Sequence, residues 1–307
     1  MGNIYDIIII GAGPAGYTAS IYASRYKLKN IIIGEIFGGY ATQAHIVANF
    51  PSEEGIEGSK LAQKMHKHAE SLGAEVIQGK VIDIQKNDND FEITTDNNKT
   101  FTAKSVIIAI GTKHRKLGLK NENDFIGKGV SYCATCDAMF FKNKTVVVLG
   151  GSDSANKASL YLADIANHVY QIYRGKELRG DKKQIERILE NKKIDVIYET
   201  NIIELRGEKK LEKIILDKEY NGNKELETSG LFIEIGSEPE YGLIEKLNLK
   251  TDELGFINVE KDQKTNIEGV FAAGDITNAT GNFKQIITAC SQGAISANSA
   301  YNFIKSK

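Results

Sequence analysis

The sequence predicts an α/β protein built as two parallel-sheet domains, one inserted in the other. Three features lead to that reading. The stretch Tyr5 to Ile10 closes on four consecutive isoleucines and passes straight into Gly11-Ala12-Gly13-Pro14-Ala15-Gly16. The same strand-then-glycine arrangement returns at Thr145 to Leu149, followed by Gly150-Gly151-Ser152-Asp153-Ser154-Ala155. Each copy leads, through turn-forming residues, to a second apolar strand closed by glycine, Val106 to Gly111 in one and Leu231 to Gly236 in the other. A chain of 307 residues is long enough for about two domains.

The isoleucine run reads as a strand buried on both faces of a parallel sheet. Behind its glycines, Tyr17 to Tyr26 carries Ala and Ile at helical spacing, and Asn30-Ile31-Ile32-Ile33-Gly34-Glu35 forms a second short strand ending in an acid. That is a complete βαβ unit. In the second copy the helix runs from about Asn156 to Ile165 and the next strand covers Val169 to Tyr173. Asn87 to Asp90 and Asn221-Gly222-Asn223 supply hairpin turns in the two halves. Gly269 to Asp275 reads as a buried strand running into a Gly-Asp corner, and Gln285 to Ile304 as a final helix. Sequence alone leaves open which sheet this last pair joins. If the chain leaves the first domain through Gly111 and returns before Gly269, that domain is discontinuous.

Charge and composition narrow the function. Lys and Arg total 39 against 40 Asp and Glu, so the basic footprint of a nucleic-acid binder is absent. With 41% apolar and 26% charged residues the chain has the make-up of an ordinary globular protein. Ile7 to Ile10 has no basic residue before it and falls far short of the ~20 residues a bilayer requires. We expect no membrane segment, no secretion signal and a cytoplasmic home. Three cysteines in so long a chain do not make a disulfide scaffold, which also suits a reducing compartment.

The glycine clusters carry chemistry. Gly11 permits the tight turn out of the strand, Gly13 lets backbone N–H groups reach a pyrophosphate, and Gly16 lets helix and strand pack closely. Phosphates then sit at a helix N-terminus, where unpaired N–H groups favour negative charge. Glu35 stands about 20 residues further on, placed to accept from ribose hydroxyls. The second cluster is a poorer copy, with Ser152 where the middle glycine belongs. Arg174, Lys176 and Arg179 follow its second strand, suiting a 2′-phosphate or forming only a solvated basic loop.

Cys133-Ala134-Thr135-Cys136-Asp137 lies just before the second glycine unit, and a CxxC pair here reads as a redox dithiol. The alternative is a structural zinc, which needs four ligands, and neither Cys290 nor the five scattered histidines supply a second pair at zinc spacing. Cys290 sits among small residues and reads as a packed apolar residue. Asp137 is placed to move protons for thiolates, or alternatively to cap a helix or turn.

These stretches, with Gly38-Gly39 through Asn49-Phe50-Pro51 and Lys284-Gln285, make the sequence resemble the low-molecular-weight thioredoxin reductases nearly end to end. The resemblance implies two Rossmann-like, three-layer ββα domains. FAD would occupy residues 1–115 and 246–307, and NADPH the inserted 116–245, which carries the CxxC. It implies that Gly11, Gly13, Pro14, Ala15, Gly16, Glu35, Gly38, Gly39, Tyr40, Thr42, Asn49, Val81, Ala109, Gly111, Gly274, Asp275, Lys284, Gln285 and Ile286 hold FAD. Gly150, Gly151, Ser152, Asp153, Ser154, Ala155, Tyr173, Arg174 and Arg179 would hold NADPH.

Tyr40 stands where the family commonly has Gln, Lys284 where it has Arg, and Tyr173-Arg174-Gly175 where it has His-Arg-Arg. The last departure, with Ser152, leaves NADH, ferredoxin or another reduced flavin as rival electron donors. Thioredoxin is the implied substrate, with glutaredoxin-like or peroxiredoxin-linked proteins as rivals, and the implied assembly is a homodimer. The implied route runs from NADPH through FAD to Cys136 and Cys133, with Cys133 attacking thioredoxin and Asp137 protonating the outgoing thiolate. Little chain follows Asp275, so no C-terminal interface domain is expected. Nicotinamide and dithiol share one domain, so that domain is expected to rotate about hinges at Gly111 to Lys116 and Ser237 to Gly242.

Overall fold

In the computed structural model, which describes residues 4–44, 46–239, 241–281 and 283–307, the four consecutive isoleucines Ile7 to Ile10 of the first strand are buried on both sides. The chain divides into one unit of residues 1–113 and 238–307 and an inserted unit of residues 114–237. The first unit begins β1 (Ile4–Ile10), α1 (Pro14–Arg25), β2 (Asn30–Gly34), α2 (Gly58–Ser71) and β3 (Glu75–Gln78). It continues through β4 (Val81–Lys86), β5 (Phe91–Thr95), β6 (Thr100–Ile108) and the crossing strand β7 (Thr112–His114). Its sheet runs β3-β2-β1-β6-β5-β4, parallel as far as β6 and antiparallel beyond.

Strand alternation explains the apolar run. Ile7 and Ile9 pack with Tyr17, Ala19 and Ala23 of α1, while Ile8 and Ile10 pack with Ile84, Phe91 and Ile93 of the hairpin layer. Each fully buried isoleucine stabilises the unit by about 1.5–3 kcal/mol, and both faces demand one. Helix, parallel sheet and antiparallel hairpin are therefore the three layers. The Asn87–Asp90 turn forms as expected, with Asn87 N–H donating to Asp90 O at 2.8 Å.

The inserted unit repeats the plan with α3 (Glu122–Phe125), β8 (Val130–Ser131), α4 (Ala134–Asp137), β9 (Thr145–Leu149), α5 (Asp153–Ala163) and β10 (His168–Ile172). Next come α6 (Lys182–Glu190), β11 (Ile194–Ile197), β12 (Ile202–Arg206), β13 (Lys213–Tyr220), β14 (Asn223–Glu227) and β15 (Gly230–Ile233). The parallel sheet runs β11-β10-β9-β15-β8, and β12-β13-β14 forms the hairpin layer. Val146 and Val148 face α5, whereas Val147 and Leu149 face Leu205, Ile214 and Leu216. At the β13–β14 turn, Asn221 and Gly222 have φ of 53° and 80°, the left-handed pair that a tight hairpin requires.

The chain returns through β16 (Ser237–Pro239), which pairs with β7, then α7 (Tyr241–Lys246), β17 (Val270–Ala272) and α8 (Ile286–Ser306). Leu243, Ile244 and Leu247 lie in the first unit's core. That moves the expected boundary at 246 back to 238, because these apolar side chains have their burial there. β17 pairs with β6, and α8 packs along α1, so the closing strand and helix belong to the first sheet. Of the expected hinge Ser237 to Gly242, Glu240 lies outside the described residues. Among the described residues no helix is long and apolar enough to cross a membrane.

Candidate active site

The first unit holds a cavity of about 420 Å³ over the carboxyl ends of β1, β2 and β6, where ligands of such sheets sit. β1 ends at Gly11, whose φ is +115°, and a Cβ there would lie 2.2 Å from Ala109 O. Gly13 is the N-cap of α1 with no side-chain cap, and nothing lies within 4 Å of where its Cβ would stand. Pro14 occupies the first turn, where its missing N–H is harmless, which is why the helix starts earlier than Tyr17. A Cβ on Gly16 would meet Gly11 O at 1.9 Å, so Gly16 serves packing and does not line the cavity. An open cradle at Gly13 beside uncapped helix N–H groups suits a pyrophosphate, and the residues present fit a flavin dinucleotide.

Most expected flavin residues converge here. Gly11, Gly13, Pro14, Ala15, Glu35, Gly39, Tyr40, Val81, Ala109, Gly111, Gly274, Asp275, Gln285 and Ile286 line the cavity. Four others support it from behind or beside. Gly38 packs against Thr42 and Ala62, and Thr42 Oγ1 donates to Gly39 O at 2.8 Å, closing the turn. Asn49 Nδ2 donates to Gln285 Oε1 at 2.9 Å. Lys284 folds back instead of lining the cavity, its Nζ donating to Asp275 O at 2.8 Å and lying 3.2 Å from the centre of the Phe256 ring. Burial pulls this lysine down to about 8, against the opposing charge of Asp275, whose own carboxyl burial pushes up.

Sequence reasoning missed Lys80 and Lys113, which also line the cavity, and Gly242 and Leu243, which it gave to the other domain. Lys80 makes an ion pair with Glu35 at 3.7 Å. Only the neighbouring Gly79 signalled a close approach. Cys290 packs as expected, its thiol directed to Pro14 O and pushed up by burial.

In the inserted unit, β8 delivers Cys133 to the carboxyl edge of the sheet. Cys133 and Cys136 form a disulfide, and Cys133 is the N-cap of α4, its Sγ accepting Cys136 N–H at 3.2 Å. Buried Ser131 ties the site together: its hydroxyl donates to Asp137 Oδ2 at 2.6 Å and accepts Cys133 N–H at 3.1 Å. Asp137 closes α4 and does not cap the following turn with its side chain; its carboxylate is held by the Ser131 hydroxyl, the same hydroxyl that accepts Cys133 N–H. An acid so placed is suited to passing protons to thiolates.

The second glycine turn differs from the first. Gly150 (φ +146°) allows the tight exit, with Ala155 packed behind it, and Ser152 is the exposed N-cap of α5. Over Gly151, however, lies the Tyr173 ring, close enough that a Cβ on Gly151 would stand 2.3 Å from it. Gly175 packs on the same ring. Arg179 N–H donates to Gly151 O at 2.7 Å, and its guanidinium lies 5.8 Å from the Tyr173 ring centre. Asp153 Oδ1 accepts Asp181 N–H at 2.9 Å, while Ser154 lies in the first turn of α5 and Arg174 is exposed. The chain's own segment from Tyr173 to Asp181 thus folds across the turn, and the fit to a pyridine nucleotide is poor.

A dithiol edge and a glycine turn on one inserted sheet, with a nucleotide cavity in the other unit, narrow the possibilities sharply. A family profile described as pyridine nucleotide-disulphide oxidoreductase matches residues 5–293. The chain belongs to that family. Its flavin and nicotinamide chemistry is the family's common ground, and the chain is an oxidoreductase. A thioredoxin reductase of Treponema pallidum is 40% identical over 99% of this chain and 98% of its own. The crystal structure of thioredoxin reductase from Streptococcus pyogenes covers 100% of both chains with a TM-score of 0.92 and 34% identity. A ferredoxin-flavin thioredoxin reductase from Clostridium acetobutylicum is 33% identical over 99% of both chains, with a TM-score of 0.54. The likeness to low-molecular-weight thioredoxin reductases, and the paired Rossmann-like architecture, are borne out.

Proposed function

We propose that this chain is a thioredoxin-disulfide reductase that holds FAD in the first unit and exchanges electrons with thioredoxin through Cys133 and Cys136. One observation carries the reading: the disulfide sits at the carboxyl edge of the inserted sheet, with Asp137 anchored beside it by Ser131. Bound flavin would supply two-electron transfer between a donor and the cysteine pair. Gly13 and the start of α1 would take the pyrophosphate, Glu35 the ribose, and Asp275 and the start of α8 the remainder. Once the pair is reduced, Cys133 as thiolate attacks a sulfur of the thioredoxin disulfide, that bond breaks, and Asp137 provides the proton for the leaving sulfur. Cys136 then displaces the mixed disulfide and restores the Cys133–Cys136 bond. By the same likeness the reading includes a cytoplasmic homodimer and a turn of the inserted unit about the paired crossings β7 and β16.

The test is thioredoxin reduction by Cys133→Ser and Cys136→Ser; undiminished turnover in either refutes the dithiol step. Purified protein that is colourless and takes up no FAD removes the cofactor assignment.

The expected donor is NADPH, but the Tyr173 ring over Gly151 favours a second reading. With Ser152 it supports a reduced protein such as ferredoxin, the donor class printed in the name of the Clostridium acetobutylicum relative, whereas Gly175 by itself, where an arginine for a 2′-phosphate is missing, would leave NADH. Stopped-flow bleaching of the bound flavin by NADPH, NADH and reduced ferredoxin decides between them.

A further inference from the structure

Two polar side chains lie in the apolar layer where β10 packs on α5, and neither has a part in the scheme above. Asn156 is the fourth residue of α5 and Gln171 the fourth of β10, and both are 0% exposed. Alternation puts Gln171 on the face of Val169, toward Val148, Ala155 and Ala158. An amide in such a layer costs free energy unless its polar atoms are paired. Here they are paired in series. Gln171 Nε2 donates to Asn156 Oδ1 at 3.0 Å and to Gly150 O at 3.2 Å, and Asn156 Nδ2 donates to Arg179 O at 2.9 Å. These bonds run from the glycine turn, through two buried side chains, to the segment that folds across it. Further ties hold that segment down. Arg179 N–H is bonded to Gly151 O, and Leu178 is buried with Ala155 and Ile188. Gly180, with φ of +111°, comes so close to Asp153 that a Cβ would stand 2.1 Å from its Oδ1.

We infer that Asn156 and Gln171 are specificity-determining residues for the electron donor, which fasten the Tyr173 to Asp181 segment across the second glycine turn and so keep pyridine nucleotides out of it. A dinucleotide at such a turn lays its pyrophosphate over the glycines and the start of the helix. The Tyr173 ring holds that place above Gly151, with Gly175 packed on the ring and Arg179 beside it. Clearing the turn therefore means lifting the segment. Lifting breaks the bond from Asn156 to Arg179 O and leaves a buried amide donor unpaired, besides exposing Leu178. Nucleotide then binds only an open form that the two amides make rare, and its apparent affinity falls by the open fraction. The inference rests on the second donor reading and deepens it by naming the residues that enforce it.

The test uses oxidised holoprotein, so no electron moves. Asn156→Leu with Gln171→Met replaces both amides by apolar side chains of similar volume, an exchange that costs little overall stability, and the urea midpoint checks it. Asn156→Ala is a second variant, in which Gln171 keeps its bond to Gly150 O. Backbone hydrogen exchange of residues 174–181, read by mass spectrometry, reports how often the segment opens. Calorimetric titration with NADP⁺ and with NAD⁺ reports access to the turn. Losing one hydrogen bond that would otherwise leave an orphaned donor raises the open fraction about tenfold. In both variants the segment should therefore exchange about tenfold faster while β9 is unchanged, and both nucleotides should bind about tenfold more tightly. Parental exchange in the variants overturns the fastening. Faster exchange without tighter nucleotide binding overturns its control of the donor. Rapid bleaching of the parental flavin by NADPH would refute the donor reading, while matched exchange and binding factors would still uphold this inference.

Discussion

Gly13 and Gly16 are three residues apart and should fail in opposite ways when each is replaced by alanine. Gly16 is the third residue of α1, where alanine's helix propensity is better by about 1 kcal/mol. Its Cβ, however, would stand 1.9 Å from Gly11 O, and Gly11 cannot retreat because its N–H is bonded to Ile33 O at 2.8 Å and its own Cβ position abuts Ala109 O. Overpacking against fixed backbone costs about 1–3 kcal/mol, so Gly16→Ala should lose about 1–2 kcal/mol net. Gly13 has an ordinary φ of −93° and empty space around it, so Gly13→Ala should leave apoprotein stability within about 1 kcal/mol. Its methyl would fill the phosphate approach and remove a hydrogen bond to a charged group, about 1.5–3 kcal/mol. FAD should then bind about 10- to 100-fold more weakly. Urea unfolding of the apoproteins and FAD titration followed by flavin fluorescence separate the two effects. Parental FAD affinity in Gly13→Ala would refute the cradle.

Asp137→Asn retains an acceptor for the Ser131 hydroxyl but no longer carries a proton for sulfur. It should slow thioredoxin turnover by about 100-fold while flavin reduction by the donor is unchanged, and equal slowing of both half-reactions contradicts the assignment. Burial holds Lys284 at about 8 against 10.5 in the unfolded chain, so between these values only the unfolded chain keeps the proton. Apoprotein stability should therefore rise with pH across that window, and Lys284→Met should flatten the rise; an equally steep urea-midpoint slope in the variant dismisses the effect. A Cβ on Gly175 would stand 2.5 Å from Tyr173 Cε1, so Gly175→Arg alone must displace the ring. Tyr173→His with Gly175→Arg should speed NADPH bleaching of the flavin about tenfold or more, and no gain in the pair would show that the turn does not limit donor choice.

Much of the fold was legible because its demands are local. Four adjacent isoleucines require burial on both faces, Gly11 requires a positive φ, and Asn221-Gly222 requires a tight hairpin. Each such requirement is met by a few neighbouring residues, so the two repeated sheets, the glycine turns and the cysteine pair could be read directly. The pairing of β17 with β6, the boundary at 238 and the packing of α8 on α1 depended on apolar surface contributed from far along the chain. The same holds within the sites. Lys284 had the right position for a cofactor contact, yet Asp275 O and the Phe256 ring captured it. Gly151 promised an open phosphate turn until Tyr173 came down on it. Backbone sterics act over a few residues and are written in the sequence, whereas burial and proximity are set by which distant segments share a layer, and only the folded chain decides that.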